Sequence, residues 1–268
     1  MENDPALTPR VAKIADGIFV RLAVDNIAWI DLGDGLLVVD ALEQPELEAE
    51  VFAAIAKTAA GGSEKPVRFV LNTHGHYDHV ALNEAFLRRW GAEIVCQPAA
   101  KLPPEGRWFG GPRRKVLMQP MGGCHTAEDC IVWSPADRAL FVGDIFGWGL
   151  VPSTRLDDET ARLLVGTHRK LIAFDPLVVI PGHGPLCGKG ELARWVEYFR
   201  GLVEAALRAS AAGKGDADAR DAQVRKGLGP PEDMKTWWRF LDWKHEDSVT
   251  RVMSAVRSGR LSENSLRE

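Results

Sequence analysis

His74-Gly75-His76-Tyr77-Asp78-His79 places three imidazoles and a carboxylate within six residues. These are the usual ligands of zinc and related divalent ions. The cluster follows Val67–Thr73, an apolar run rich in β-branched and aromatic residues that reads as a buried strand. A chance group of histidines in a loop, or an expression tag, would not be internal and would lack the built-in carboxylate and the strand before it. Three later strand-like runs end in the same kind of residue. Lys115–Gln119 leads to Gly122-Gly123-Cys124-His125, the run from Arg138 ends in Gly143-Asp144, and the run from Leu177 ends in Pro181-Gly182-His183-Gly184. Glycine lets a backbone turn sharply and approach closely, so Gly143, Gly182 and Gly184 suit loops that aim a side chain. Five histidines and two aspartates meet the needs of two four- or five-coordinate ions if one carboxylate bridges them and water completes the shells.

Sheets must carry these ligands to one edge. Ile18–Val24, Ile27–Leu32 and Leu36–Asp40 read as consecutive strands, with Asp25-Asn26 and Gly33-Asp34-Gly35 as turns. Pro45–Ala60 reads as a helix, stopped by Gly61-Gly62. A helix over Ala81–Trp90 and a strand over Glu93–Cys96 follow, then a long loop over Pro103–Arg114 with three arginines and an aromatic pair. That loop reads equally as a solvated surface segment or as a substrate rim. Asp157–Phe174 and Glu191–Ser210 are helical by apolar spacing. His168 falls on the apolar face of the first of these and reads as a packed histidine. Phe146 and Trp148 follow Asp144 closely enough to shape an apolar pocket near it. Strands beside helices, then more strands, predict an α/β fold: an αββα sandwich of two mixed sheets with helices outside.

The order His-x-His-x-Asp-His, then His125, Asp144 and Pro-Gly-His183-Gly, resembles the metallo-β-lactamase-fold hydrolases over about residues 14–205. The resemblance implies a first metal on His74, His76 and His125, a second on Asp78, His79 and His183, and Asp144 as the bridge. The aspartate leans toward the branch of glyoxalase II and lactonases. Cys124 departs from the common Gly-His-Thr form, so the backbone before His125 must tolerate a Cβ. The implied activity is dinuclear hydrolysis of an ester, thioester or lactone carbonyl by a shared hydroxide, with Asp78 and Asp144 as catalytic carboxylates. The ions are expected to be zinc, with iron or manganese as substitutes. The rivals are a mononuclear iron persulfide dioxygenase, a β-lactamase and a ribonuclease, the last disfavoured by the acidic balance. Asn72, Thr73 and Thr126 are candidates for orienting the imidazoles.

The chain has 268 residues, 46% hydrophobic and 26% charged, with a net charge of −4. That balance speaks against a nucleic-acid partner and for a small-molecule substrate. The four cysteines have no zinc-type spacing, the start lacks the parts of a secretory signal, and no apolar run has the length of a membrane span. These features point to a cytoplasmic protein. Expected organisation is a catalytic domain over residues 1–210, a flexible linker over 211–229 and a helical extension over 230–268. The extension, with Trp237, Trp238, Phe240 and Trp243, is too small for its own core and must dock on the domain, across the metal cleft, or on a second subunit as a homodimer.

Overall fold

A computed structural model describes residues 8–58, 65–152, 155–211, 224, 229–239 and 242–267. Contacts group the chain into two units. The first comprises Met1–Gly122, Thr126–Ile145 and Pro176–Gly188; the second comprises Gly123–His125, Phe146–Asp175 and Lys189–Glu268.

The first unit contains two mixed sheets. One has six strands in chain order: β1 (Arg10–Ala15), β2 (Ile18–Leu22), β3 (Ile27–Asp31), β4 (Leu36–Val39), β5 (Val67–Leu71) and β6 (Glu93–Val95). Pairing is antiparallel up to β4 and parallel for β4–β5 and β5–β6. The other runs β11-β10-β9-β8-β7, from β7 (Arg107–Gly110), β8 (Lys115–Pro120), β9 (Cys130–Ser134), β10 (Ala139–Gly143) and β11 (Val178–Pro181), with only β10–β11 parallel.

Strand alternation sorts the side chains. Ile18, Val20, Ala28, Ile30, Leu37 and Val39 face Val116, Met118, Val132, Phe141 and Ile180 in a core between the sheets. Ile27, Trp29, Leu36, Val38 and Val70 turn the other way, beneath α1 (Glu48–Thr58) and α3 (Asn83–Trp90), through Val51, Ile55 and Phe86. Both faces are covered, so the strands read as continuous apolar runs rather than alternating ones.

Three strands add to those the sequence predicts. β1 is half exposed and weakly apolar. β9 is wholly buried and only five residues long. β7 lies inside the segment read as a long loop, and it forms because β8 supplies its partners from Arg107↔Met118 to Gly110↔Lys115. The arginines there are held by the fold. Arg114, 9% exposed, binds both Asp137 oxygens and the carbonyls of Asp31 and Asp16. Arg113 pairs with Asp31 and Asp16, and Arg107 with Glu93. The second half of this segment is therefore a β-hairpin with paired arginines rather than a loop of solvated charges.

The second unit is helical. A capping box between Asp157 and Thr160 starts α4 (Asp158–Ala173), and α5 (Lys189–Ala211) buries Leu192, Trp195, Val196, Phe199, Leu202 and Val203 as its spacing predicts. After the short α6 (Glu232–Lys235), α7 (Asp242–Arg257) packs on α5 through its buried Val249, Val252, Met253 and Val256. A 3-10 turn over Glu263–Leu266 rests on α4 and α5, and Asp158 accepts from both the backbone and the hydroxyl of Ser262. The C-terminal segment thus buries the valine and methionine stripe of α7 on helices of its own unit, while Trp243 is 52% exposed and Phe240 lies outside the described residues. Residues 212–223 and 225–228, most of the expected linker, lie outside the described residues. Among the described residues no helix is long and apolar enough to cross a membrane.

His168 is fully buried, as its position on α4 predicts. Its ring stacks on Trp195 at 4.1 Å and 9°, and Nδ1 donates to the Leu164 carbonyl at 2.9 Å. Burial pushes its pKa down to about 4, against which that bond acts only weakly. The native imidazole is neutral while the unfolded chain takes up a proton below about 6.5. Its contribution is therefore intact above 6.5 and is lost as pH falls toward 4. Between pH 7 and 4.5 this group alone should cost about 2.5 kcal/mol. His168→Phe keeps the stack and should shrink the difference in urea stability between those pH values by roughly that amount. An unchanged difference would show that the acid sensitivity lies elsewhere.

Candidate metal centre

The turn after β5 is built by Asn72 and Asp40. Asn72 Nδ2 donates to the His79 carbonyl at 2.7 Å and to Asn83 Oδ1 at 3.2 Å, closing the chain around the single helical turn α2 (Tyr77–Val80). Asp40, 4% exposed, follows β4 at φ 61°. Its carboxylate accepts from the Thr73 backbone at 2.7 Å and from the Thr73 hydroxyl at 3.0 Å, and lies 3.1 Å from His79 Nδ1. Thr73 Oγ1 is in turn 3.3 Å from His74 Nδ1. The buried His74 ring lies 4.6 Å from that of the exposed His76 and 4.1 Å from that of His79.

Asp144, at the end of β10, and His183, at the end of β11, meet this turn. Asp144 Oδ1 is 3.5 Å from His79 Nε2, and its Oδ2 is 3.3 Å from His183 Nε2. Asp78 Oδ2 is 3.6 Å from His79 Nε2 and 3.2 Å from His183 Nε2. His183 Nδ1 is 3.0 Å from Asp25 Oδ1 and 3.2 Å from the Val24 carbonyl. One ligand atom from each of Asp78, His79, Asp144 and His183 fits within 4.8 Å of all the others. Ligands about 2.1 Å from a tetrahedral ion are about 3.4 Å apart, so the spacing fits one cation. His79 Nε2 is buried and makes no hydrogen bond, which leaves its lone pair available to such an ion once the nitrogen is deprotonated.

Close packing of backbone makes this possible. A Cβ on Gly182 would collide with Asp144 Oδ1 and with His79 Cε1, and one on Gly143, at φ +51°, with the Thr73 hydroxyl. His125 sits in the loop after β8 and belongs to the second unit. The left-handed positions before it are taken by Gly122 and Gly123, and Cys124 has no positive φ. That is how the turn carries a Cβ there. Thr126, read as orienting an imidazole, instead donates its backbone N–H and its hydroxyl to Asp129.

Two functional candidates escaped the sequence reading. Asp40 reads there as a strand end, and Asp25 as a turn residue. Their signal is a lone carboxylate closing an apolar run, which is common in turns and gains meaning only from the imidazole beside it.

Charge in the group is strongly coupled. Burial would lower the His79 pKa, but the carboxylates of Asp40 and Asp144 raise it to about 10. Burial acts the same way on His183, and Asp144, Asp25 and Asp78 outweigh it and hold that imidazole well above its ordinary range. The hydrogen bond from His183 is the main cause holding Asp78 down at about 2. Burial would raise Asp144, yet His183 and His79 keep it well below the usual carboxylate range. Protons on the two histidines balance the acids when no cation does. A divalent ion should therefore displace about one proton from each histidine, and its affinity should climb as pH rises from neutrality toward 10. Calorimetry at pH 8 in buffers of different ionisation enthalpy measures this release. Binding with no proton release would place the ion elsewhere.

The chain belongs to the metallo-beta-lactamase superfamily, whose profile matches residues 22–183. It is 28% identical over 173 residues to a hydroxyacylglutathione hydrolase of Brucella anthropi, covering 59% of this chain and 64% of that protein. It is 25% identical over 236 residues to the 2,4-dinitroanisole O-demethylase subunit alpha of a Nocardioides species, covering 79% of this chain and 68% of that one. The chain thus spans under two thirds of the first of these relatives. A sec-alkylsulfatase from a Pseudomonas species shares the fold at a TM-score of 0.72 and 14% identity, over 92% of this chain and 50% of that one. A metallo-beta-lactamase from Pontibacter korlensis does so at 0.59 and 20%, over 71% and 98%. The fold is that of the superfamily: two mixed sheets with flanking helices and a helical C-terminal region.

Proposed function

We propose that this protein is a dinuclear metal-dependent hydrolase of a small ester, thioester or lactone. The observation that carries the reading is Asp144, whose two oxygens reach separate histidines, His79 and His183, while His74 and His76 stand beside them. Asp78, His79 and His183 would hold one ion. His74, His76 and His125 would hold the other, with Asp144 shared, as the resemblance to the superfamily implies. Divalent ions in such a site supply a water acidified toward neutral pH and polarise a carbonyl oxygen.

The chain's own residues position that chemistry. Asp40 fixes the His79 ring through Nδ1, and Asp25 with the Val24 carbonyl fixes His183, so each presents Nε2. Asp78 is ionised at neutral pH, so Oδ2 can accept a proton but does not hold one in reserve. The likeness to a hydroxyacylglutathione hydrolase supports a thioester or ester substrate.

The test is elemental analysis of protein purified without added metal, joined to turnover of a panel of thioesters, esters and lactones. Two ions per chain and metal-dependent hydrolysis of one of these classes are expected. At most one tightly bound ion, unchanged by added zinc, manganese or iron, would rule the reading out. Oxygen uptake with glutathione persulfide would replace it by the dioxygenase, and turnover of nitrocefin in preference to the panel by the β-lactamase.

A further inference from the structure

The second unit holds a buried ammonium that no carboxylate among the described residues faces. Lys244 lies in the first turn of α7 and is 5% exposed. Its Nζ donates to the Trp148 carbonyl at 3.4 Å and stands 5.4 Å from the centre of the Trp238 ring. Among the described residues no carboxylate pairs with it. Burial, then repulsion from Arg239, pushes its pKa down to about 8. The start of a helix adds a partial positive charge of its own, so the lysine sits where a cation is least favoured.

Two further donors are unmatched nearby. The indole N–H groups of Trp148 and Trp238 are buried and make no hydrogen bond. Around them are apolar walls: Trp148 packs edge-on against Phe146 at 5.3 Å and against Trp237 at 5.5 Å. Trp148 holds a positive φ of 49°, which is costly for a bulky residue and fixes the direction of its carbonyl. A buried ammonium and two buried indole donors without acceptors are each unfavourable. All three are relieved by one kind of group: an anionic oxygen carried on an apolar body.

We propose that Lys244, with Trp148 and Trp238, forms a binding site for the carboxylate of an aromatic or similarly apolar organic acid. This goes beyond the hydrolase reading and does not depend on it, because neither the ammonium nor the indoles are metal ligands. The carboxylate pairs with Nζ and accepts from an indole N–H, and the apolar part lies against the indole faces.

The probe is sodium benzoate, followed by tryptophan fluorescence at constant ionic strength. Benzamide serves as its neutral isostere and inorganic sulfate as the anion without an apolar body. Saturable binding of benzoate, at least about tenfold tighter than benzamide or sulfate, is expected for the wild-type protein. Lys244→Met should weaken benzoate by about tenfold or more and leave benzamide unchanged. Where Lys244→Met lowers the melting temperature enough to disturb the fold, Lys244→Gln, which keeps a donor for the Trp148 carbonyl, is read by the same criterion. Benzoate bound no better than benzamide, sulfate bound as well as benzoate, or benzoate bound equally by wild type and variant would each overturn the proposal. The last outcome would also assign benzoate to another place on the protein, such as the metal ligands.

Discussion

Asp144→Ala should leave a folded protein that retains at most one ion per chain and hydrolyses its substrate at least on the order of 10³-fold more slowly. The carboxylate reaches His79 and His183 from one position and is half-buried beside them. Its loss removes the anionic group that both imidazoles share, and with it much of the negative charge that would attract a cation. Charge stabilisation of several kcal/mol is at stake, and about 4 kcal/mol corresponds to the stated factor. Metal content by mass spectrometry and turnover at saturating metal check it together. Near-normal turnover with two ions still bound would remove Asp144 from the bridging role. Asp144→Asn is the milder probe, because it keeps the shape and loses the charge.

Asp40→Ala is expected to have the second-largest effect, although Asp40 stands behind the candidate ligand His79. Three buried groups depend on its carboxylate: the Thr73 N–H, the Thr73 hydroxyl and His79 Nδ1. Removing a buried charged partner costs about 3 kcal/mol or more. The left-handed φ of 61° adds strain for alanine that aspartate and asparagine tolerate better. Metal affinity should fall about 10- to 100-fold, since His79 loses the group that sets its ring. Urea unfolding of the metal-free protein and a competition titration with a chromophoric chelator separate the two effects. Asp40→Asn should recover part of the stability and less of the affinity, because one oxygen still accepts from Thr73 while the charge facing His79 is gone. Equal stability and affinity in wild type and Asp40→Ala would show that the buried network is not what aims His79.

The strand ends that carry the candidate ligands were legible because their signal is local. A strand such as Val67–Leu71 is a β-branched run, and the residue after it must turn, so His74 to His79 declare themselves within one window. Asp144 and His183 declare themselves the same way, each after an apolar run and beside a glycine. The helix α5 was legible from its stripe alone. Asp40 and Asp25 were not, because their partners lie far along the chain and nothing near them in sequence marks those partners. β7 was missed for a related reason: Arg107–Gly110 has no periodicity of its own, and its pairing with β8 decides its conformation. Thr126 shows the converse, a polar residue next to a candidate ligand whose hydrogen bonds are consumed by Asp129 three positions on.

The four side chains whose spacing would fit one cation come from three stretches of chain: the turn after β5, the end of β10 and the end of β11. An ion seated there would act as a clasp between segments that meet only once both sheets have assembled. Its binding energy would then be available to the native state and denied to the unfolded chain. Free metal at about 1,000 times the dissociation constant would raise unfolding stability by about 4 kcal/mol. A chelator would do more than silence the protein. It would withdraw that support, and the melting temperature of the first unit would become a gauge of how much metal its surroundings supply.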